Sequence, residues 1–339
     1  MAGPLFPPLK IGKLVFDAPL IQAPLSGYSD APMRRLARKF GASFALCEVL
    51  LDQFVLNVSK HSKGRLYLDV QDTDRPAGAQ LMGSSSDEFV SAANRLLECG
   101  FELIDLNFAC PVKKVVGKSR GGYLVSDPIR AINIAKNVRE ALPSDVPVTV
   151  KLRRGFDDSE GSREDFWDLL NGLIDVGIDG VAVHGRTVLQ RYQGSADWNF
   201  LREVKEFVAV KKNRPDIAVL GCGDLFSAET VIRRMQESGV DGVALARGII
   251  GNPWLFAQTR AAMEGRPIPP APTLAEQKAT IAEHFQMAVD LYGERRAATV
   301  MRKFGVAYSR LHPDPDKVRM AFVLCKSAAR WFEILDENY

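Results

Sequence analysis

Residues 77–109 read AGAQLMGSSSDEFVSAANRLLECGFELIDLNFA and hold two short apolar runs with a longer amphipathic stretch between them. The runs, Ala77–Met82 and Leu103–Ala109, have apolar residues on both faces, which is typical of parallel strands covered by helices. Asp87–Cys99 has the length and apolar spacing of a helix, and Gly100 follows where that helix should end. The stretch therefore predicts a strand, a crossover helix and a second, parallel strand.

The same unit recurs along the chain from residue 18 to about 250. Asp30 and Asp127 are good N-cap residues for helices, and Gly177 and Gly239 stand where helices should end. Eight strands, each followed by a helix, predict a closed (β/α)8 TIM barrel in the α/β class. A doubly wound sheet is the competing architecture, but no G-x-G-x-x-G motif follows the first strand. The predicted strands are Leu20–Leu25, Phe44–Val49, Ala77–Met82, Leu103–Ala109, Val146–Leu152, Gly180–His184, Ile217–Gly221 and Gly242–Ala246.

Two further segments flank the predicted barrel. Leu9–Phe16 reads as a short hairpin that plugs the barrel floor, with Ile11-Gly12-Lys13 as its turn. The stretch 265–272 reads GRPIPPAP and predicts a linker. After it, apolar residues recur only at helical spacing, which predicts a C-terminal all-α helical bundle with helices at about 274–292, 295–311 and 315–335. We therefore expect a barrel domain at 1–264, a linker at 265–272 and a helical domain at 273–339.

The composition is that of an ordinary globular protein, with 46% hydrophobic and 25% charged residues among 339. A net charge of +3 is too small to indicate nucleic-acid binding by itself. The five cysteines are scattered and form no C-x-x-C pair, so the sequence predicts neither a zinc site nor a disulfide framework. Free thiols, the lack of a signal-peptide core and the lack of an apolar run of 18 residues predict a cytoplasmic protein without a membrane span.

We expect the active site at the carboxyl ends of the barrel strands, as in other barrels of this kind. The predicted strand ends bring amide, thiol, ammonium, imidazole and glycine groups into one ring. Polar residues that merely mark strand ends are the alternative for any single position, but this alternative does not readily explain the whole set. The residues are Pro24, Leu25, Ser26, Glu48, Gln80, Asn107, Cys110, Lys151, Arg153, His184, Arg186, Cys222, Gly223, Asp224, Ala246 and Arg247.

Glycine-rich segments follow the last two strands, where such barrels often bind a phosphate. Gly221–Asp224 and Ala246–Gly248 let backbone N–H groups approach an anion, and Arg247 adds a charge-assisted bond. Lys151 is costly to bury without an anionic partner, and a reduced flavin is one such partner. A lysine that reaches solvent is the alternative. His184 either bonds a flavin or phosphate or is a structural histidine.

Cys110 begins a segment, 110–126, that contains four cations and no acidic residue. Buried cysteines are usually small hydrophobes, and we assign that role to Cys47, Cys99 and Cys325. Four cations beside a thiol predict a polyanionic substrate delivered to that thiol. These cations are Lys113, Lys114, Lys118 and Arg120.

Over nearly its whole length the chain resembles the tRNA-dihydrouridine synthases. The resemblance rests on an ordered set of motifs: APLSGYSD at 23–30, Asn107 with Cys110-Pro111, Lys151-Leu152-Arg153, HGRTVLQRYQGSADW at 184–198 and RGIIGNPWLF at 247–256.

The resemblance implies FMN as the bound cofactor, NADPH as its reductant and uridine in tRNA as the substrate. Hydride would pass from the reduced flavin to uridine C6 while the Cys110 thiol protonates C5. Asn107 and Arg186 would face the uracil, and the helical domain would help to grip the RNA; no obligate protein partner is evident. The FMN contacts that the resemblance implies are Pro24, Leu25, Ser26, Gln80, Lys151, His184, Cys222, Gly223, Asp224, Ala246 and Arg247.

The chain departs from the family pattern near the implied flavin and thiol. Ala109 stands where the family usually has glycine, Cys222 replaces an asparagine, and Ala246 replaces a glycine. The segment after Cys110 also carries Gly121-Gly122. We expect these changes to alter fine contacts to FMN and the geometry of Cys110.

The protonation state of Cys110 depends on its surroundings. An unperturbed thiol with a pKa of about 8.5 stays mostly protonated at neutral pH, but Lys113 and Lys114 would lower that pKa. We expect bound RNA phosphates to neutralise these lysines. Residues 273–332 add ten Lys and Arg against six acids, a modest basic surplus that a solvated helical surface also explains.

Two other functions remain open at this point. A flavin oxidoreductase of a small molecule such as dihydroorotate needs neither the basic segment nor the helical appendage. The second alternative is an RNA-binding or folding factor with a vestigial active site. Such a protein would not need to keep the complete set of site residues found here, which is Gln80, Asn107, Cys110, Lys151 and His184.

Overall fold

Eight parallel strands close the predicted barrel. A computed structural model describes residues 5–59 and 62–339. Its strands are β1 (Leu9–Ile11), β2 (Leu14–Phe16), β3 (Leu20–Gln22), β4 (Phe44–Leu51), β5 (Ala77–Met82), β6 (Leu103–Phe108), β7 (Val148–Arg153), β8 (Gly180–His184), β9 (Ala218–Cys222) and β10 (Gly242–Leu245). Each strand from β3 onward pairs in parallel with the next, and β10 pairs with β3, so the sheet has no free edge.

The hairpin of β1 and β2 plugs the barrel floor, as predicted. Its strands pair antiparallel across a tight turn. Leu9, Ile11 and Phe16 are buried in one apolar cluster with interior barrel residues such as Phe44 and Leu103. The lower part of the barrel is therefore a packed core.

Helices alternate with the strands and cover the outside of the barrel. They are α1 (Ala31–Lys39), α2 (Asp52–Asn57), α3 (Ser86–Glu98), α4 (Lys113–Val116), α5 (Pro128–Ala141), α6 (Glu160–Val176), α7 (Trp198–Glu206), α8 (Ala228–Ser238) and α9 (Trp254–Met263). The side chains of Asp30 and Asp127 accept hydrogen bonds from the first turns of α1 and α5. Gly177 and Gly239 end α6 and α8 in left-handed conformations. These predicted caps are confirmed.

The C-terminal region is helical and begins after a stretch, 265–272, without helix or strand. Its helices are α10 (Leu274–Tyr292), α11 (Glu294–Val300), α12 (Arg302–Tyr308), α13 (Pro315–Leu324) and α14 (Ala328–Asn338). The first predicted helix matches α10, but the second and third are each divided in two. One break is caused by Ser327, whose side chain accepts from Arg330 N and begins α14. No helix of the described residues is long and apolar enough to cross a membrane.

The helical region packs against the loop that follows β3. The rings of Tyr28 and Phe304 meet edge to face with centroids 5.3 Å apart. Tyr292 Oη donates to Asp30 Oδ2 at 2.9 Å, and Lys303 Nζ donates to the carbonyl oxygen of Gly27. The buried apolar cluster is continuous from the barrel helices into the bundle. The bundle therefore contacts the mouth side of the barrel directly.

Candidate active site

The carboxyl ends of the strands bring the predicted polar residues into one layer. The β6–β7 register places Asn107 beside Lys151, and the β8–β9 register places His184 beside Cys222. Gln80 lies on β5 and is 1% exposed. These positions alternate along their strands with residues that face the helices, so their side chains share the barrel interior.

A cavity in the barrel interior reaches from the hairpin floor to this layer. Ile11 lines it at the floor, and Pro24 and Lys151 line it toward the mouth. Asp105 and Thr149 add polar groups between them. The remaining lining is apolar: Ile21, Phe44, Leu46, Leu103, Val181, Ala182, Leu220 and Ala244. With a volume of about 20 Å³ the cavity holds little more than one water molecule, so it is a packing gap below the layer of polar residues and not itself a small-molecule site.

Lys151 has a thiol as its hydrogen-bond partner. Its Nζ donates to Cys222 Sγ at 2.6 Å, and the thiol sulfur also lies 3.5 Å from the carbonyl oxygen of Val183. Cys222 is one of the departures from the family pattern. This departure therefore gives Lys151 a soft, polarisable neighbour at the top of the cavity.

The loop after β9 turns at Gly223 and Asp224, which have φ values of +118° and +56°. A Cβ atom at Gly223 would lie 2.7 Å from the ring of His184 and 2.7 Å from the methyl group of Ala196. Only glycine fits, because both the backbone conformation and the space exclude a side chain. The loop backbone therefore packs directly against His184 and Ala196.

Arg186 is 3% exposed and has no free N–H group. It donates to both carboxylate oxygens of Asp224 at 2.9 and 2.8 Å, and to the carbonyl oxygens of Gln193 and Gly194. Its fifth contact is with His184 Nε2 at 3.4 Å. Since a guanidinium carries five N–H donors, this set is complete. Arg186 therefore helps to fix its own loop and the loop after β9, and the uracil contact that the resemblance implies stays a prediction.

Asp224 and Arg247 form the polar rim of the same loop. The Asp224 carboxylate accepts from Ala196 N at 2.8 Å and lies 3.5 Å from Arg247. Burial by itself raises the pKa of Asp224, but hydrogen bonds from Arg186 and Ala196 hold it below its usual value. Its carboxylate oxygens are engaged, so only its backbone is left for a flavin. The Arg247 side chain is 38% exposed and lies over the ring of Tyr192 at 4.3 Å, within reach of an anion.

His184 is a neutral imidazole in this site. Burial, followed by the charges of Lys151, Arg153, Arg186 and Arg247, lowers its pKa to about 2. It therefore contributes hydrogen bonds rather than charge at physiological pH.

The loop after β3 is fixed by the neighbouring strand. Gly27 N donates to Glu48 Oε2 at 2.6 Å, so the glutamate at the mouth end of β4 fixes the loop that carries Pro24–Ser26. Pro24 lines the cavity, whereas Ser26 is exposed. Ala246, at the end of β10, packs against the interior apolar cluster.

Cys110 is held by backbone hydrogen bonds on both sides. Asn107 Oδ1 accepts from Ala109 N and Cys110 N at 3.0 Å each. Gly122 N donates to the carbonyl oxygen of Cys110 at 3.0 Å, and Arg153 Nε donates to that of Ala109 at 3.0 Å. The thiol-bearing residue therefore has a defined place at the end of β6.

The departures at Ala109 and Gly122 have different physical consequences. Ala109 is not among the residues with positive φ, so its methyl group adds no backbone strain. A Cβ atom at Gly122 would lie 2.7 Å from the Val188 side chain and 2.9 Å from the Cys110 carbonyl oxygen. Gly122 is thus required for the close approach of two loops, and the expected disturbance of Cys110 by Ala109 finds no support.

The thiol of Cys110 is protonated for a reason that the sequence did not indicate. Burial raises the pKa of Cys110, against the smaller effects of the Val112 backbone and Arg153. Lys113 and Lys114 are exposed on α4, where water and salt screen their charges, and neither is among the groups that shift the pKa of Cys110. The expectation that these lysines lower the pKa is therefore wrong, and RNA phosphates are not needed to keep the thiol protonated.

The basic segment after Cys110 divides into exposed and half-buried cations. Lys113, Lys114 and Lys118 are exposed, and they form no ion pair with the residues that the structure describes. Arg120 is half-buried, and the charge of Arg120 acts on Asp52. Only the three lysines thus form a solvent-facing basic surface.

Two polar residues of the barrel interior were not among the predicted site residues. Asp105 and Thr149 lie one layer below Asn107 and Lys151 and bond to each other at 2.6 Å. The signal for Asp105 was an acidic residue inside an apolar strand, which is costly to bury without partners. Thr149 gave no such signal, because threonine is common in strands.

Comparison with known proteins decides the family. A family model described as dihydrouridine synthase (Dus) matches residues 21–338. The chain belongs to the dihydrouridine synthase family. It is 34% identical to a probable tRNA-dihydrouridine synthase of Rickettsia prowazekii over 98% of this chain and 97% of the relative. It is 32% identical to one of Synechocystis over 97% of this chain and 89% of that protein.

Solved structures share the barrel fold with this dihydrouridine synthase family member. A 2-naphthoyl-CoA reductase aligns with a TM-score of 0.58 at 14% identity over 78% of this chain, and a histamine dehydrogenase from Rhizobium aligns at 0.57 and 18% over 84%. The chain spans about half the length of these two proteins, 52% and 51%. Morphinone reductase aligns at 0.53 and 14% identity over 77% of this chain and 92% of its own. At such identities the likeness concerns the fold alone.

Proposed function

We propose that this chain reduces uridine in tRNA to 5,6-dihydrouridine, with FMN as its flavin and NADPH as the reductant. Membership of the dihydrouridine synthase family supports the class of reaction. The names of the relatives in Rickettsia prowazekii and Synechocystis support tRNA as the substrate. The observation that carries the assignment of roles is the protonated Cys110 thiol, anchored by Asn107 at the carboxyl end of β6.

The residues of the site fit a flavin mononucleotide. At the carboxyl ends of the strands, above the closed barrel interior, Pro24 and Ala246 offer apolar contacts for an aromatic ring system, and Lys151 offers a positive charge for the electron-rich edge of that ring. The partly exposed side chain of Arg247 suits a phosphate, and in this proposal backbone N–H groups of the loop that carries Gly223 and Asp224 add to that site. His184, held neutral, adds a hydrogen bond without adding charge. In this proposal Gln80 and the Pro24–Ser26 loop complete the cradle.

The proton in the reaction comes from Cys110. The bound flavin supplies the hydride that uridine C6 receives. Cys110 Sγ gives its proton to C5, the resulting thiolate lies near the guanidinium of Arg153, and solvent restores the proton after the product leaves. Burial of the thiol keeps the acid form available, and Asn107 is placed to face the uracil ring.

The RNA would approach over the mouth of the barrel. Uridine must leave the RNA stack to reach an interior site, which costs a few kcal/mol and least in irregular loops. Lys113, Lys114 and Lys118 offer exposed charges to phosphates beside Cys110. We propose residues 273–339 as a helical RNA-binding domain joined to the barrel through 265–272.

The test is to map dihydrouridine in RNA from cells with and without this gene. Expression of the chain should restore dihydrouridine at defined positions of tRNA, and Cys110→Ala should not. Cys99→Ala is the matched control, because this half-buried thiol lies at the end of α3 away from the mouth. The proposal is wrong if tRNA modification is the same without the gene, or if a small pyrimidine such as orotate reoxidises the purified flavoprotein as fast as tRNA does.

A further inference from the structure

A chain of buried hydrogen bonds links the barrel interior to the backbone of Cys110. Thr149 Oγ1 donates to Asp105 Oδ1 at 2.6 Å, and Gln80 Nε2 donates to Asp105 Oδ2 at 2.5 Å. Asn107 Nδ2 donates to Gln80 Oε1 at 2.7 Å, and Asn107 Oδ1 accepts from Cys110 N at 3.0 Å. The four side chains come from β5, β6 and β7, and none is more than 6% exposed. Few routes therefore exist for water to replace any of these bonds.

The groups at the two ends of this series of hydrogen bonds decide which atom donates and which accepts in each bond. A backbone N–H stands at the Cys110 end, so Asn107 must turn its oxygen there and its amide nitrogen toward Gln80. Gln80 must then turn its oxygen to Asn107 and its nitrogen toward Asp105. A carboxyl oxygen at position 105 accepts that N–H. An apolar side chain there would leave a buried donor without a partner, which the Gln80 amide would relieve by rotating away.

We propose that Asp105 is a positioning residue that fixes the Cys110 loop through Gln80 and Asn107. Asp105 lies in the interior, one layer below the residues at the mouth, and acts on the thiol only through these two amides. Its importance for catalysis rests on the proposed function, whereas its effect on the position of the thiol does not.

The protonation of Asp105 does not decide the geometry. Burial raises the pKa of Asp105, while hydrogen bonds from Thr149 and Gln80 and the charge of Lys151 oppose that rise. Either form keeps one oxygen for the Gln80 N–H, and an asparagine side chain offers one as well. The neutral, isosteric variant Asp105→Asn should therefore retain the position of Cys110, and Asp105→Leu should lose it.

The first readout is the alkylation rate of Cys110 in flavin-free protein at pH 7, followed by mass spectrometry of its peptide. We expect Asp105→Leu to raise this rate by about threefold or more, because a loosened loop exposes the thiol. Asp105→Asn should stay within about twofold of the parent protein. In an Asn107→Ala background, Asp105→Leu should have no further effect, because the link it acts through is already cut.

The second readout separates the two half-reactions of the flavin-loaded protein. Asp105→Leu should slow uridine reduction by pre-reduced enzyme about tenfold and change flavin reduction by NADPH less than about twofold. Asp179→Leu is the control for losing a half-buried, hydrogen-bonded carboxylate elsewhere, since Asp179 precedes β8 at the amino ends of the strands and bonds to Val148 N and Arg139. If Asp105→Leu fails to fold, as judged by circular dichroism, Asp105→Ser replaces it, because serine is too short to reach Gln80.

Three results would overturn the inference: an unchanged alkylation rate in Asp105→Leu, full additivity with Asn107→Ala, or equal losses in both half-reactions. If the parent protein makes no dihydrouridine, the proposed function fails, but the alkylation series still decides whether Asp105 positions Cys110.

Discussion

At the scale of the residue, burial governs the acid that the proposed reaction needs. Four cations follow Cys110 in the sequence, yet the thiol is largely enclosed, and Arg153 is the charge that acts to lower its pKa. Desolvation penalises the thiolate more than these charges favour it. The loop therefore separates two tasks: exposed lysines offer charge to RNA, and an enclosed thiol keeps its proton.

The raised pKa of Cys110 predicts the pH dependence of uridine reduction. A thiol whose pKa lies above its ordinary value stays in its acid form to higher pH, so activity is lost only as the pH rises through the raised pKa. We expect single-turnover rates with pre-reduced enzyme to be flat from about pH 7 to 9 and to fall above that range. The measurement is a pH–rate profile with circular dichroism as a control for unfolding. A fall centred at or below about pH 8 would contradict this prediction.

At the scale of the element, helix α12 reaches across to the loop after β3. Lys303 donates to the carbonyl oxygen of Gly27 and lies 4.9 Å from the ring centre of Tyr28. Burial lowers the pKa of Lys303, and the charges of Asp30 and Glu48 oppose that fall. Lys303 therefore places a positive charge close to two acids of the barrel, the buried Asp30 and the half-buried Glu48.

Lys303→Met should weaken flavin binding, although residue 303 is not among the predicted FMN contacts. The variant leaves Asp30 and Glu48 without this cation and frees the loop that carries Pro24–Ser26. We expect about a tenfold weaker FMN affinity, by fluorescence titration, and a loss of about 1–3 kcal/mol in the free energy of unfolding. Lys317→Met on α13 is the control, because Lys317 is exposed. Unchanged FMN affinity in Lys303→Met would show that the bundle does not support the cofactor loop.

His284 on α10 should make the bundle sensitive to acid. Its Nδ1 lies 3.0 Å from the Tyr308 hydroxyl, and burial, with a smaller effect of Lys303, lowers its pKa to about 3. Because the unfolded state takes up a proton near pH 6.5, the stability that neutral His284 contributes is present above pH 6.5 and is lost as the pH falls toward 3.

The slope should be at most about 1.4 kcal/mol per pH unit from this residue. His284→Asn keeps a partner for Tyr308 but cannot titrate, so its stability should fall less steeply over the same range. Urea unfolding at several pH values measures both slopes. If the free energy of unfolding fell equally steeply with pH in both proteins, His284 would be ruled out as the source. His184, which is also buried and neutral, is present in both proteins and so does not contribute to the difference.

At the scale of the whole molecule, several exposed cations of the C-terminal region are not paired with acids, although the net charge is only +3. Of the ten cations in 273–332, Lys278 and Arg330 form ion pairs with acids near the C-terminus. Exposed cations without an ion pair to any described residue are Arg295, Arg310, Lys317, Arg319 and Lys326. Together with the lysines after Cys110, they are the cations that the proposed function makes available to RNA phosphates.

RNA affinity should therefore depend on salt through these surfaces. Replacing Lys113, Lys114 and Lys118 by serine should reduce the slope of log K against log salt by about 2–3, by filter binding to tRNA. A matched triple of the exposed residues Lys10, Lys136 and Lys211 should change the slope by less than about 1. A flat salt response of the parent protein, or equal effects of the two triples, would remove the electrostatic part of the proposed function.

The barrel could be predicted because its signals are local. All eight strands were identified, two with the observed bounds, since apolar runs, caps such as Asp127 and glycines such as Gly177 act within a few residues of the chain. The helices after residue 293 were less well predicted. Apolar periodicity alone does not locate a break such as the one before α14, where the decisive group is one serine hydroxyl.

The ring of candidate site residues was also within reach of the sequence, because parallel strands of a barrel present their carboxyl ends together. The sequence did not predict whether the hydrogen-bonding groups of a residue in that ring are free or already engaged. Arg186 belongs to the family motif, but its donors are taken by Asp224, 38 residues later, and by carbonyl groups of its own loop. Such occupancy depends on distance in space, for which the sequence pattern carries no signal.

The barrel, the thiol at its mouth and the family follow from periodicity, caps and an ordered set of motifs, which are all features of short segments of the chain. How the thiol is held and protonated depends instead on packing between distant segments. The bond from Thr149 to Asp105 joins residues 44 positions apart, and the raised pKa of Cys110 comes from enclosure by several loops. Hydrogen-bond direction and desolvation arise when distant segments meet, so they are properties of the packed molecule and not of any segment of the chain.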